Sequence, residues 1–115
     1  MNTIGSIIRF IALSFFALFL IGCDLDTIEE VKSDPYRYEN KTARIGGRVT
    51  QQMSVLNYGI YELEDATGKI FVISQRGVPS RGARVEVKGN TVNAFSLAGI
   101  DYGTVLMEED RKIHR

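Results

Sequence analysis

Few side chains in this 115-residue sequence have the type and spacing for covalent or acid–base chemistry. A lone cysteine, Cys23, can serve as nucleophile, metal ligand or acyl acceptor, but it has no partner in the chain for a disulfide. The single histidine, His114, sits in the run Arg111-Lys112-Ile113-His114-Arg115. Chain ends are usually poorly ordered, so neither a triad nor a metal cluster is expected to assemble around it. The carboxylate pairs Glu62 with Glu64 and Glu108 with Glu109 have spacings common on solvated strands, with nothing nearby in sequence to raise a pKa for general-acid work. Gly68-Lys69 ends like a phosphate loop, but the earlier glycine of that signature is missing and no helix follows. These residues predict no enzyme, no metal site and no cofactor.

The setting of Cys23 points elsewhere. Residues 1–22 carry one charge, Arg9, followed by a twelve-residue apolar run from Phe10 to Ile21. That length fits the roughly 7–15 residues of a secretory h-region and falls short of the ~18 of a membrane span. A small residue, Gly22, stands before the expected cut. Leu20-Ile21-Gly22-Cys23 resembles the lipobox of bacterial lipoproteins, where the peptidase cuts before the cysteine and its sulfur carries a diacylglyceryl group. The competing readings are an uncleaved anchor and a buried thiol. The resemblance implies that residues 1–22 are removed, that Cys23 is the lipid-attachment residue, and that no free thiol remains. Stable anchoring needs more than one acyl chain, which this modification supplies. The membrane is then a partner through the N-terminal lipid and the location is the cell envelope. In enterobacteria-like sorting, Asp24 after the cysteine implies the periplasmic face of the inner membrane.

From Cys23 onward the chain is long enough for one small domain. Arg9 leaves with the leader, so 13 basic side chains face 14 acidic ones, a net charge of −1 with no strong field toward nucleic acid or anionic lipid. The acids are uneven. Asp24, Asp26, Glu29, Glu30 and Asp34 precede Pro35, opposed only by Lys32, whereas from Pro35 onward 12 basic residues face 9 acidic ones. Residues 23–36 therefore read as a lipidated acidic tether spacing the domain from lipid. Leu25, Ile28 and Val31 permit a turn or two of helix within it. Pro35 marks the boundary. A barrel over 37–110 and a basic tail over 111–115 follow.

The body is short alternating segments rich in Val, Ile, Tyr and Thr between Gly, Pro, Asn and Asp, the pattern of an all-β domain. Ala43, Ile45, Gly47 and Val49 share one face of a first strand and Arg44, Arg48, Thr50 and Gln52 the other, with a bulge or bend expected at Gly46-Gly47. A second strand over 58–64 turns Tyr61 and Leu63 inward, and a third over 69–74 turns Ile70 and Val72 inward. Between them Gly68 is expected to take positive φ. A fourth strand carries Ala83, Val85, Val87 and Gly89 inward. A fifth lies around 102–107, its phase ambiguous.

The order of these pieces resembles the OB-fold, a small five-stranded Greek-key barrel. The residues that carry the likeness are Ile45-Gly46-Gly47-Arg48-Val49, Tyr61-Glu62-Leu63-Glu64-Asp65 with the turn to Gly68, Ile70-Phe71-Val72, Val78-Pro79, and the run 82–89. Many OB-folds place a helix between strands three and four. Here about seven loop residues do so, predicting a barrel with one end less well plugged.

OB-folds bind oligonucleotides or oligosaccharides on the face of strands two and three. The outward residues there are Ile60, Glu62, Glu64, Phe71 and Ile73, with Tyr58 at the edge. Phe71 and Tyr58 suit base stacking, Glu62 and Glu64 oppose phosphate, and the competing expectation is that the tether or a loop covers Ile60, Phe71 and Ile73. The resemblance also implies that strand one pairs with strand four, which would gather Arg44, Arg48, Arg84 and Lys88 into a ridge that Arg76 and Arg81 extend, suited to phosphates or lipid headgroups unless Glu86 salt-bridges it. The sequence thus predicts a membrane-anchored, non-catalytic module. It binds an oligonucleotide, a glycan or an envelope protein, or docks as an accessory subunit through Ile60, Phe71 and Ile73.

Overall fold

The computed structural model describes residues 25–34, 36–39 and 41–114; the leader and Cys23 lie outside the described residues. One short helix, α1 (Ile28–Ser33), precedes five strands: β1 (Thr42–Val55), β2 (Tyr58–Glu64), β3 (Lys69–Ser74), β4 (Arg84–Leu97) and β5 (Ile100–His114). They close into a barrel of order β1-β2-β3-β5-β4, with β3 against β5 the one parallel pairing. This is the OB architecture the alternation predicts. Ala43, Ile45, Val49, Tyr61, Leu63, Ile70, Val72, Val85, Val87 and Leu106 fill its interior.

β1 belongs to both halves of the barrel. Its first half pairs with β4 as far as Arg48 opposite Arg84, and its second half pairs with β2 from Arg48 opposite Glu64. Gly47 stands at the changeover, where a Cβ would lie 2.5 Å from the Glu64 carbonyl oxygen. Only glycine lets the two backbones come that close. The bulge itself falls between Val49 and Gln51, three residues beyond the glycine pair.

Four expectations need correction. The tether does more than space the barrel from lipid: α1 buries Ile28 and Val31 completely in the main core beside Tyr38. The helix that an OB-fold often carries between its third and fourth strands is here replaced by one that precedes the first. The β2–β3 turn is closed by Asp65 rather than by a left-handed Gly68, whose φ is ordinary. β4 and β5 are twice as long as predicted. Residues 111–114, expected as a tail, pair with β4 as far as His114 opposite Arg84.

Asp65 joins the helix to the barrel. Its Oδ1 accepts from Thr67 N–H (2.7 Å), Thr67 Oγ1 (2.6 Å) and Gly68 N–H (3.1 Å), and its Oδ2 accepts from Ile28 N–H (2.9 Å). Thr67 Oγ1 takes Glu29 N–H and the cap residue Thr27 takes Glu30 N–H, so the first-turn donors of α1 are satisfied. Burial acts to raise the Asp65 pKa, but the hydrogen bonds from Thr67, Ile28 and Gly68 outweigh it and hold the carboxyl below its usual value. A depressed folded-state pKa gives stability that is present above the unfolded value of about 3.9 and lost as pH falls through the folded value. Asp65→Asn is therefore expected to cost about 1 kcal/mol at neutral pH and to flatten the loss of stability below about pH 4, measured by urea unfolding across pH.

Candidate functional site

The outward face of β2 and β3 is closed. Ile60 and Ile73 are 0% and 1% exposed and form a second apolar cluster with Val105. The cover is neither tether nor loop but strand: Met53 and Val55 at the end of β1, and Val92, Phe95, Leu97, Tyr102 and Met107 of the β4–β5 hairpin. That hairpin loses register between Val92 and Phe95, where Ala94 takes φ 52° and Gly103, opposite Phe95, takes φ 70°. Past the kink, Phe95 and Tyr102 pack against the barrel while the turn at Ala98-Gly99 stays exposed. Tyr102 meets Phe71 edge-to-face with ring centroids 5.4 Å apart. Ile60 and Ile73 thus reach neither a ligand nor a docking partner, and Tyr58 and Phe71 keep only their rims open. A small cleft of about 110 Å³ remains beside Phe71, between Lys32, Glu62, Lys69, Tyr102 and Thr104. Glu62 is buried rather than solvated, accepting from Thr50 Oγ1 at 2.7 Å.

The basic ridge does assemble, and it is wider than predicted. Register across β1, β4 and β5 sets three rows on one outward face: Arg48, Arg84 and His114; then Gly46, Glu86 and Lys112; then Arg44, Lys88 and Asp110. Arg44 lies directly opposite Lys88, and Arg48 directly opposite Arg84. Like charges so placed destabilise a sheet. Glu86 stands 4.0 Å from Arg44 Nε and 3.6 Å from His114 Nε2, and Asp110 pairs with Arg76 at 3.7 Å. Among the described residues, Arg48, Arg84, Lys88 and Lys112 have no ion-pair partner. A shallow cleft of about 560 Å³ opens over Gly46 and Gly47 between Arg48, Arg84 and His114. Of the acids that line it, Glu64 pairs with Lys69 at 3.4 Å and Asp65 is held by α1, while Glu86 stays in the cleft beside His114. Lys112 and His114 were missed because β5 was read too short.

A third cluster was misread as solvated charge. The Glu108 side chain is 1% exposed and accepts from Tyr61 Oη (2.5 Å), Ser74 Oγ (2.6 Å) and Arg111 Nη1 (3.4 Å). Burial, then the bond to Glu108, pushes the Tyr61 phenol far up, so Tyr61 remains a donor. Arg111 also donates to the Gly77 carbonyl, tying the β3–β4 loop to the barrel. Every oxygen of this cluster is engaged within the fold, so it holds strands together rather than offering a reactive group. Glu108 is inward in phase with Leu106, and Glu109 is the extra residue of a β4–β5 bulge that brings Arg111 to the same side, a shift nothing in the local sequence foretells.

No family model matches the sequence, and no curated protein matches it. Solved structures do. Asparaginyl-tRNA synthetase from Pyrococcus horikoshii superposes with a TM-score of 0.64 at 20% identity, over 78% of this chain and 23% of the synthetase. The chain thus spans under a quarter of that protein. The S. pombe Stn1–Ten1 complex matches at 0.54 and 18% identity, over 64% and 58% of the two chains. The OBody AM3L09, bound to hen egg-white lysozyme, matches at 0.53 and 18%, over 67% and 84%. At these identities the likeness is one of fold, and the fold is the OB barrel.

Proposed function

We propose that this chain is a lipid-anchored, non-catalytic binding module of the cell envelope, on the periplasmic side of the inner membrane in a Gram-negative host, that holds an extended polyanion on the β1–β4–β5 face. The observation that carries the reading is the pair of like-charge cross-strand contacts, Arg44 with Lys88 and Arg48 with Arg84. They destabilise the free barrel and become favourable when a polyanion lies across them. The lipobox-like Leu20-Ile21-Gly22-Cys23 supports the anchor. Structures of the same fold bound to lysozyme or in a Stn1–Ten1 complex support a binding role.

Two effects of opposite sign test it. Arg84→Glu places an acid opposite Arg48, so the barrel is expected to gain about 0.5 kcal/mol in stability. The same change is expected to weaken polyanion binding at least tenfold, with a shallower salt dependence. Thermal unfolding and titration with a single-stranded oligonucleotide at several salt concentrations read the two effects, and salt-independent binding unaffected by Arg84→Glu would refute the proposal.

A second reading, an accessory subunit docking onto an envelope protein, draws on Leu56 and Ile100, 75% and 54% exposed at the β1–β2 and β4–β5 turns. It expects one envelope protein to co-purify with the chain and to be lost in Leu56→Asp with Ile100→Asp.

A further inference from the structure

The anchor and the basic face are neighbours in space. Asp26 N–H donates to the Arg44 carbonyl at 2.7 Å, Arg44 N–H donates to Asp26 Oδ2 at 3.1 Å, and Asp26 bridges β1 at Ile45. From Asp26 onward the chain is therefore held to the barrel, and it is held at a residue of the basic face. Only Asp24 and Leu25 separate Asp26 from Cys23. Three residue steps span at most about 11 Å, close to the Debye length of roughly 8 Å at physiological salt. Leu25, 39% exposed, lies over Gly46 in the middle row, where a Cβ would be 3.1 Å from its Cδ1. The segment that composition suggested would hold the domain away from lipid is used up in α1 and the Asp26 bridge.

We infer that the β1–β4–β5 face lies against the anionic headgroups of the bilayer into which the Cys23 lipid inserts. This rests on the lipidated reading of Cys23 and names the occupant of the proposed polyanion face. A lipid attached within about 11 Å of Asp26, which is itself bonded to Arg44, keeps this side of the barrel close to the headgroup layer. The face it brings there carries Arg44, Arg48, Arg84, Lys88 and Lys112 against Glu86 and Asp110, a net +3 with His114 neutral. Each basic residue near an anionic leaflet adds about fivefold to partitioning. The apolar, partly exposed Leu25 suits the same boundary, and the missing side chain of Gly46 leaves it room at the centre of the face.

Residues 25–114 contain both apolar clusters, so a chain starting at Asp24 keeps the fold without lipid. That chain is expected to co-sediment with vesicles of phosphatidylcholine plus phosphatidylglycerol, but not with phosphatidylcholine alone. Binding is expected to fall with salt, and to fall at least tenfold in Arg48→Glu with Lys88→Glu. Arg84→Glu, expected to stabilise the barrel, repeats the loss where the double variant folds poorly. In the lipidated chain on anionic vesicles, Lys88 and Lys112 are expected to resist an amine-reactive reagent that modifies them in detergent. Equal binding to neutral and anionic vesicles overturns the inference. Oligonucleotide binding without vesicle binding overturns it and leaves the polyanion face intact, whereas binding to neither sinks both. A mature chain whose mass shows no diacylglyceryl group removes the anchor on which the orientation depends.

Discussion

Glu108→Ala is expected to lower the unfolding free energy by about 3–5 kcal/mol, the range for removing one partner of a buried charged network. The carboxylate is the common acceptor for Tyr61, Ser74 and Arg111, drawn from β2, β3 and β5. Without it two hydroxyls are left with nothing to donate to, and the Arg111 guanidinium, 18% exposed, loses its counter-ion. For a domain this small each kcal/mol lowers Tm by about 4–8 °C, so the variant is expected to melt at least ten degrees lower. Glu108→Gln keeps an acceptor but not the charge and should fall between. Tyr61→Phe, which removes one donor and leaves the carboxylate two, should cost about 1–2 kcal/mol. Urea unfolding of the three variants gives the order. A loss below about 1 kcal/mol for Glu108→Ala would mean the network reorganises around water rather than depending on the carboxylate.

The second large effect concerns the hairpin that closes the β2–β3 face. Phe95→Ala combined with Tyr102→Ala is expected to cost about 3–5 kcal/mol, because two aromatic rings leave the cover of Ile60 and Ile73 and only aliphatic side chains and Met remain over them from β1, β4 and β5. Both rings are only partly buried, which keeps the figure below twice that of a fully buried aromatic. The exposed apolar surface should bind 1-anilinonaphthalene-8-sulfonate, which the parent should not. Tyr102→Phe is the control. Its hydroxyl is buried with no hydrogen-bond partner among the described residues, so removing it should hold or raise stability while the ring stays in place. If the double variant melted like the parent and bound no dye, the remaining aliphatic side chains and Met would suffice to close the face. Oligonucleotide affinity should change little in this variant, since the proposed face uses the other ends of β4 and β5, Arg84 to Lys88 and Asp110 to His114.

Much of the barrel was legible because strand alternation is a local property. Ile45, Val49, Tyr61, Leu63, Ile70, Val72, Val85 and Val87 were assigned inward from period two alone, and all of them are buried in the main core. Of the surface residues, Arg44, Arg48, Arg84 and Lys88 were brought together by knowing which strand follows which, and the register bears this out. The failures share a cause. Ile60 and Ile73 alternate to the outside of β2 and β3 as expected, yet they are buried, because the β4–β5 hairpin, far along the chain, folds back over them. Glu108 points inward in phase with Leu106, and the bulge at Glu109 then turns Arg111 to the same side, a phase of β5 that local alternation leaves ambiguous. α1 was read as a spacer because its acidic composition outweighed a three-residue apolar spacing too short to be decisive.

By itself, the sequence determined an inward-facing stripe on the first four strands, the turns that separate them, and a lone cysteine set behind an apolar run. Each of these depends on neighbours within a few residues, where sterics and side-chain alternation act directly. Only the tertiary structure decided which faces stay open. It buried the face on which an OB barrel is expected to bind, left the arginine rows bare, and brought Asp26 to Arg44 within three residues of Cys23. Exposure is set by what packs on a surface from far along the chain, and no local pattern records that contact.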